Sequence, residues 1–139
     1  MKPADYIKRG TEYEHQVALF MQIAQNLKKY PDLKWAHSIT NEERSGSVIV
    51  GTKAKALGRT AGVSDISIPI KRIVALPQGG FVTYSGLYVE LKKLKAKGVG
   101  PSKEQLEFGE FVTAQGFAFS VCYGWQEAWE TIELYINLK

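Results

Sequence analysis

The stretch "SGLYVELKK", Ser85–Lys93, decides how the chain folds. Taken with a period of two, Leu87, Val89 and Leu91 fall on one side and Tyr88, Glu90 and Lys92 on the other, the pattern of a strand. One face is apolar and ready to be buried, while the other sets a carboxylate beside an ammonium. Upstream, "SDISIPI" (Ser64–Ile70) alternates in the same way, with Ile66, Ile68 and Ile70 inward and Asp65 and Ser67 opposite; Pro69 marks an edge or an early end. Between the two runs, "RIVAL" and "FVTY" flank the turn signal "PQGG". A hairpin there makes the sheet partly antiparallel and can bring Asp65 into register with Glu90.

Outward from these strands the periodicity becomes helical. "ADYIKRGTEYEHQVALFMQIAQNLKKY" is expected to form an amphipathic helix, interrupted or started at Gly10, with Tyr13, Val17, Phe20, Met21, Ala24 and Leu27 on its apolar stripe and Glu14 at the margin. Pro31 and Asp32 end it, and "LKWAHSIT" has strand-like spacing. The Gly-rich basic run "NEERSGSVIVGTKAKALGRTAGV" leaves room for a short helix around Lys53 to Leu57. "LKAKGVGPSKEQ" is a loop leading into a helix that starts near Ser102, with Leu106, Phe108, Phe111 and Val112 as its apolar positions. "FAFSVCY" is expected to be a strand buried on both faces, and Trp125, Ala128, Trp129, Ile132 and Tyr135 stripe a last helix. The expected order is α, β, loop, β, β, α, β, α, in one domain spanning 1–139.

Composition narrows the function. Of 139 residues, 45% are apolar and 23% charged, which suits a folded core. No apolar run approaches the roughly 20 residues of a membrane span, and the N-terminus lacks a signal-peptide pattern, so a cytoplasmic protein is expected, in a host's cytoplasm if phage-encoded. Cys122, the single cysteine, reads as a small buried hydrophobe. A net charge of +4 hides an asymmetry: from Arg44 to Lys103 there are eleven basic residues and only two acids, Asp65 and Glu90. Such a segment fits a polyanion, because each neutralised phosphate releases counterions. Arg44, Lys53, Lys55, Arg59, Lys93, Lys95, Lys97 and Lys103 are the candidate DNA contacts. "GSVIVGTK" fails as a phosphate loop because Thr52 separates Gly51 from Lys53, so no nucleotide cofactor is expected. His15 and His37 have no zinc-ligand spacing, and no nucleophile elbow is present.

What remains is Asp65, Glu90 and Lys92, with Glu14 and Gln105 as outer candidates. If Asp65 lies opposite Glu90, two carboxylates and an ammonium meet. Hard oxygen ligands of that kind suit Mg²⁺ or Mn²⁺, which take one or two carboxylates and leave positions for water and phosphate. Alternatively, Glu90 and Lys92 form an ordinary surface ion pair of little energetic worth.

The combination of "EYEHQVALF", "AGVSDISIP", "GLYVELKK" and "PSKEQLEFGEFVTAQGFAFSVCYGWQEAWETIELY" resembles the virus-type replication-repair nuclease (VRR-Nuc) domain of the PD-(D/E)XK superfamily, over about Glu12 to Tyr135. The resemblance implies an α/β restriction-endonuclease-like core, a mixed β-sheet flanked by α-helices, and a metal-dependent endonuclease acting on DNA. It implies Asp65, Glu90 and the main-chain carbonyl of Leu91 as metal ligands, Lys92 as the catalytic lysine, Glu14 as the acid of the first helix and Gln105 as the helical glutamine. Ser102 and Gln105 also spell a capping box, which competes for that glutamine. Ser64 stands where the superfamily motif has proline. The resemblance further implies a free-standing enzyme that cuts four-way junctions as a homodimer. Flap or non-selective cleavage, or DNA binding without catalysis, are the alternatives.

Overall fold

The computed structural model describes residues 10–39, 55–94 and 98–139. The chain starts with helix α1, Glu12–Gln25, followed by a 3₁₀ turn at Pro31–Trp35 and a two-residue strand β1, His37–Ser38. Strand β2 is Ile66–Ile68, and β3 (Arg72–Ala75) and β4 (Phe81–Tyr84) form the hairpin. Then come β5 (Leu87–Lys92), α2 (Lys103–Ala114), β6 (Ala118–Tyr123) and α3 (Trp125–Ile136). The main sheet has the order β1-β2-β5-β6. β1 and β2 pair antiparallel, as do β2 and β5, while β6 joins β5 in parallel through the α2 crossover. The architecture is mixed α/β, as expected.

The greasy face of β5 is buried as its alternation demands, with Leu87, Val89 and Leu91 at most 3% exposed. It meets Ile66 and Ile68 of β2 and the layer formed by α1 and α3. All five stripe residues of α3 are buried, and Cys122 is fully buried, as expected. α2 covers the other face, where Tyr88 stacks edge-on against Phe108, 5.1 Å between ring centres. Gly109 permits that approach: a Cβ there would sit 2.4 Å from the Phe119 ring.

Several local expectations change. α1 starts at Glu12 with Thr11 as its cap, and its buried residues are His15, Ala18, Leu19 and Ile23. Tyr13 is 70% exposed, so the buried face lies nearly opposite the expected stripe. The helix is apolar on two sides, and a histidine counted as polar belongs to the core side. On α2, Leu106 and Phe111 are exposed while Gly109 and Val112 are buried. β6 is an edge strand, mostly half-buried, and not buried on both faces. The hairpin forms its own two-stranded sheet, because Ser85 and Gly86 break the run between β4 and β5. "LKWAHSIT" yields the 3₁₀ turn and only two strand residues. Of the short helix expected around Lys53 to Leu57, residues 55 and 56 are helical, and its start lies outside the described residues.

Candidate active site

The register of β2 on β5 matches Ile66 with Val89, so the next pair toward the end of the sheet is Asp65 with Glu90. Both carboxylates therefore project from the same face, the one covered by α2. The Asp65 Oδ2 accepts a hydrogen bond of 2.8 Å from the main-chain N–H of Leu91, which ties the acid across the strand junction. Glu90 is only 3% exposed. Its Oε1 accepts from Gln105 Nε2 at 2.6 Å and lies 3.8 Å from the Lys92 ammonium. Its Oε2 is buried and accepts from no donor among the described residues.

Such a carboxylate is expensive to ionise. The Glu90 carboxyl is pushed up to about 8, first by burial and then by the facing Asp65 carboxyl, with a smaller like-charge contribution from Glu12 and against the opposing Lys92 ammonium. When one of the facing carboxyls holds a proton, it can be shared between them, as in other carboxylate pairs. Among the described residues no group of three or more His, Cys, Asp or Glu is gathered as in a dedicated metal cage. Two carboxylates with an unserved oxygen are instead a partial coordination set, of the kind hard divalent cations complete with water and substrate oxygens.

Gln105 resolves the competition between capping and function by doing both. Ser102 caps α2: the Gln105 N–H donates to its hydroxyl at 3.2 Å, and the Ser102 N–H donates to Gln105 Oε1 at 2.8 Å. With its oxygen occupied by the cap, the amide has to aim its NH₂ group outward, and that group meets Glu90. The preceding loop is held close to the same helix start, since a Cβ on Gly62, at φ +88°, would lie 2.3 Å from the Glu104 carbonyl oxygen.

Glu14 is placed otherwise. Its Oε1 accepts from the Thr11 N–H at 3.4 Å and the Thr11 hydroxyl at 3.3 Å, closing the capping box of α1. The acid of α1 whose charge acts on Glu90 is Glu12, half-buried two residues earlier. Sequence reading took Glu14 from the family resemblance, with its place at the stripe margin as support, and had no signal for Glu12, since both acids lie in "EYE" and only the helix phase separates them. The start of α1 is also fixed from behind: the buried His15 Nδ1 accepts from the Trp125 N–H at 3.0 Å, capping α3 where Gly124 has no side chain to do so. The neighbouring Gly124 N–H donates to the Lys92 carbonyl at 2.8 Å, so α1, α3 and the end of β5 meet at one place.

Of the candidate DNA contacts, Lys55, Lys93 and Lys103 are exposed and Arg59 is half-buried. Lys103 lies 3.8 Å from Glu107. Arg44, Lys53, Lys95 and Lys97 lie outside the described residues.

No protein-family model and no curated protein matches the chain. A solved structure described as "VRR_NUC domain protein" superposes with a TM-score of 0.66 at 22% identity, covering 94% of this chain and 91% of that one. The chain has the fold of a VRR-Nuc domain. On this fold the acids and the lysine stand at the end of the sheet where the Asp65 to Leu91 hydrogen bond ties β2 to β5. No helix among the described residues is long and apolar enough to cross a membrane.

Proposed function

We propose that the chain is a divalent-cation-dependent DNA endonuclease that hydrolyses phosphodiester bonds and cuts four-way junctions as a homodimer. The observation that carries this reading is the convergence of Asp65, Glu90, Lys92 and Gln105, with one Glu90 oxygen buried and lacking a donor. Mg²⁺ or Mn²⁺ would be held by Asp65, Glu90 and the Leu91 carbonyl. When bound, such an ion polarises a phosphoryl oxygen and lowers the pKa of a coordinated water.

The chain's own residues prepare the ground. Gln105 fixes the rotamer of Glu90 by occupying Oε1, which leaves Oε2 turned to the shared space. The Leu91 N–H holds Asp65 so that it cannot swing away from its partner. Lys92, whose side chain is 18% exposed, can reach solvent and a phosphate at once, and stabilises negative charge as it builds on the phosphorus oxygens. Glu14 serves α1 as a cap, and Glu12 adds negative charge toward the same site. Lys55, Arg59, Lys93 and Lys103, with Arg44, Lys53, Lys95 and Lys97, draw the polyanion in. The compartment that goes with this reading is the cytoplasm expected from the sequence, that of the host if the gene belongs to a phage.

Glu90→Gln and Lys92→Ala are each expected to lower nicking of a four-way junction by about a hundredfold or more, with junction binding retained. EDTA should stop cleavage and added Mg²⁺ should restore it. Four-way, flap and linear duplex substrates compared side by side should show the junction cut fastest. Full activity in either variant sinks the site assignment, and equal rates on all three substrates sink the preference.

A further inference from the structure

We infer that the outer face of the β3–β4 hairpin is the surface on which two copies of this chain meet. The inference deepens the homodimer reading above by assigning it a place. From Ile73 through Val89 the chain carries no charged residue, although charged residues make up 23% of the whole. Apart from Arg72 at the start of β3, whose guanidinium donates to the Leu138 carbonyl, the hairpin lies inside this run. Its register pairs Ile73 with Thr83 and Ala75 with Phe81, and these four residues share the exposed face. Ile73 is 53% exposed and Phe81 73%. The opposite face is already used: Val74, Val82 and Tyr84 are half-buried, and Tyr84 packs edge-on against Tyr135 of α3.

Exposed strand pairs of monomeric proteins are usually protected by lysines, inward charges or bulges, since their free edges invite pairing. The one charge of this hairpin, Arg72, lies on the inner face with Val74, so the exposed face carries none, and among the described residues β3 and β4 pair only with each other. The nature of the partner follows from the same chemistry. A polyanion would find nothing to neutralise on Ile73, Ala75, Phe81 and Thr83, and a charged protein surface would lose hydration without compensation. An uncharged apolar face is complementary to another of its kind, and a two-fold axis matches each residue with its counterpart.

Position supports this occupant as well. β2 runs away from Asp65 and β5 runs back toward Glu90, so the hairpin inserted between them lies at the end of the sheet far from the carboxylates. Two copies joined there leave both sites open to DNA.

Sedimentation equilibrium and light scattering would test the surface without reference to catalysis. The wild-type chain is expected at twice its 15.5 kDa mass, and Ile73→Asp with Phe81→Asp at the monomer mass with an unchanged circular dichroism spectrum. Phe81→Cys adds an accessible thiol to a chain whose own Cys122 is fully buried, and mild oxidation should give a disulfide-linked dimer on a non-reducing gel. A wild-type monomer at all concentrations, or an aspartate variant that remains a dimer, overturns the inference. A wild-type chain that is itself monomeric, and whose DNA binding the same substitutions weaken, would make the face a DNA contact instead. If the masses behave as expected but no DNA is cut, the nuclease reading fails while the interface stands.

Discussion

A glutamine that closes the first turn of α2 also holds the carboxylate of Glu90, and the two duties can be separated by substitution. Ser102→Ala removes the hydroxyl cap, at a cost of about 1 kcal/mol in stability, and leaves the Gln105 to Glu90 hydrogen bond available. Gln105→Ala keeps the backbone bond to the Ser102 hydroxyl but removes the side-chain half of the cap and the hydrogen bond to Glu90. A purely structural glutamine would make the two variants equal in cleavage once corrected for folded fraction; the expected result is that only Gln105→Ala loses activity. Glu90 makes a second prediction. With its carboxyl pushed up to about 8 in the folded chain, the metal-free protein binds a proton near neutrality that the unfolded chain has already released. Its contribution to stability is complete below the ordinary carboxylate range and is lost as pH rises through about 8. Thermal melts in EDTA should therefore decline over that window, and Glu90→Gln should flatten the decline. Added Mg²⁺ should raise the melting temperature most at the alkaline end, because cation and proton compete for the same oxygens.

At the scale of elements, legibility followed how many physical constraints each segment carried. β5 was readable because three core residues alternate with three polar-side residues, and α3 because all five of its stripe positions are large or tightly packed apolar groups. α1 was not, because it presents apolar residues on two sides and its inner face is set by His15, whose burial depends on Trp125 far along the chain. The strand nature of "FVTYSGLYVELKK" was legible, but its break at Ser85 was not, since nothing local distinguishes a continuous strand from two that diverge. The facing of Asp65 and Glu90 followed from alternation plus a hairpin. Which acid of "EYE" has its charge felt by Glu90 did not, since it rests on helix phase. The tie between α1 and α3 gives a prediction of its own. Burial lowers the His15 pKa, and Glu14 opposes the shift, so folding favours the neutral ring. An imidazolium cannot accept the Trp125 N–H, and the stability contributed by this bond is present above the ordinary histidine range and is lost as pH falls through the lowered value. His15→Ala should melt earlier than wild type at pH 8, with the gap narrowing in acid.

For the whole molecule the charge distribution sets what the proposed activity predicts for binding. Eleven basic residues fall between Arg44 and Lys103 in sequence, with Asp65 and Glu90 as the acids of that segment, and the basic residues that are described are mostly exposed. Junction affinity should fall steeply as salt rises, with a slope on a log–log plot of about −0.9 for each phosphate neutralised. Lys55→Ala and Lys93→Ala should each reduce that slope by about one unit. An affinity indifferent to salt would mean that these lysines are only solvated.

The bond from Trp125 to His15 joins residues 110 apart in sequence, and Tyr30 reaches Glu133 across a similar span at 2.9 Å. Contacts of such range close late in folding, after the loop entropy of the intervening chain has been overcome. During synthesis, α1 can rest on β5, but it gains its tie to Trp125 only after α3 has emerged from the ribosome. The Lys92 carbonyl gains the Gly124 N–H at the same stage. A chain built this way cannot anchor the end of β5 that carries Glu90 and Lys92 until α3 has docked.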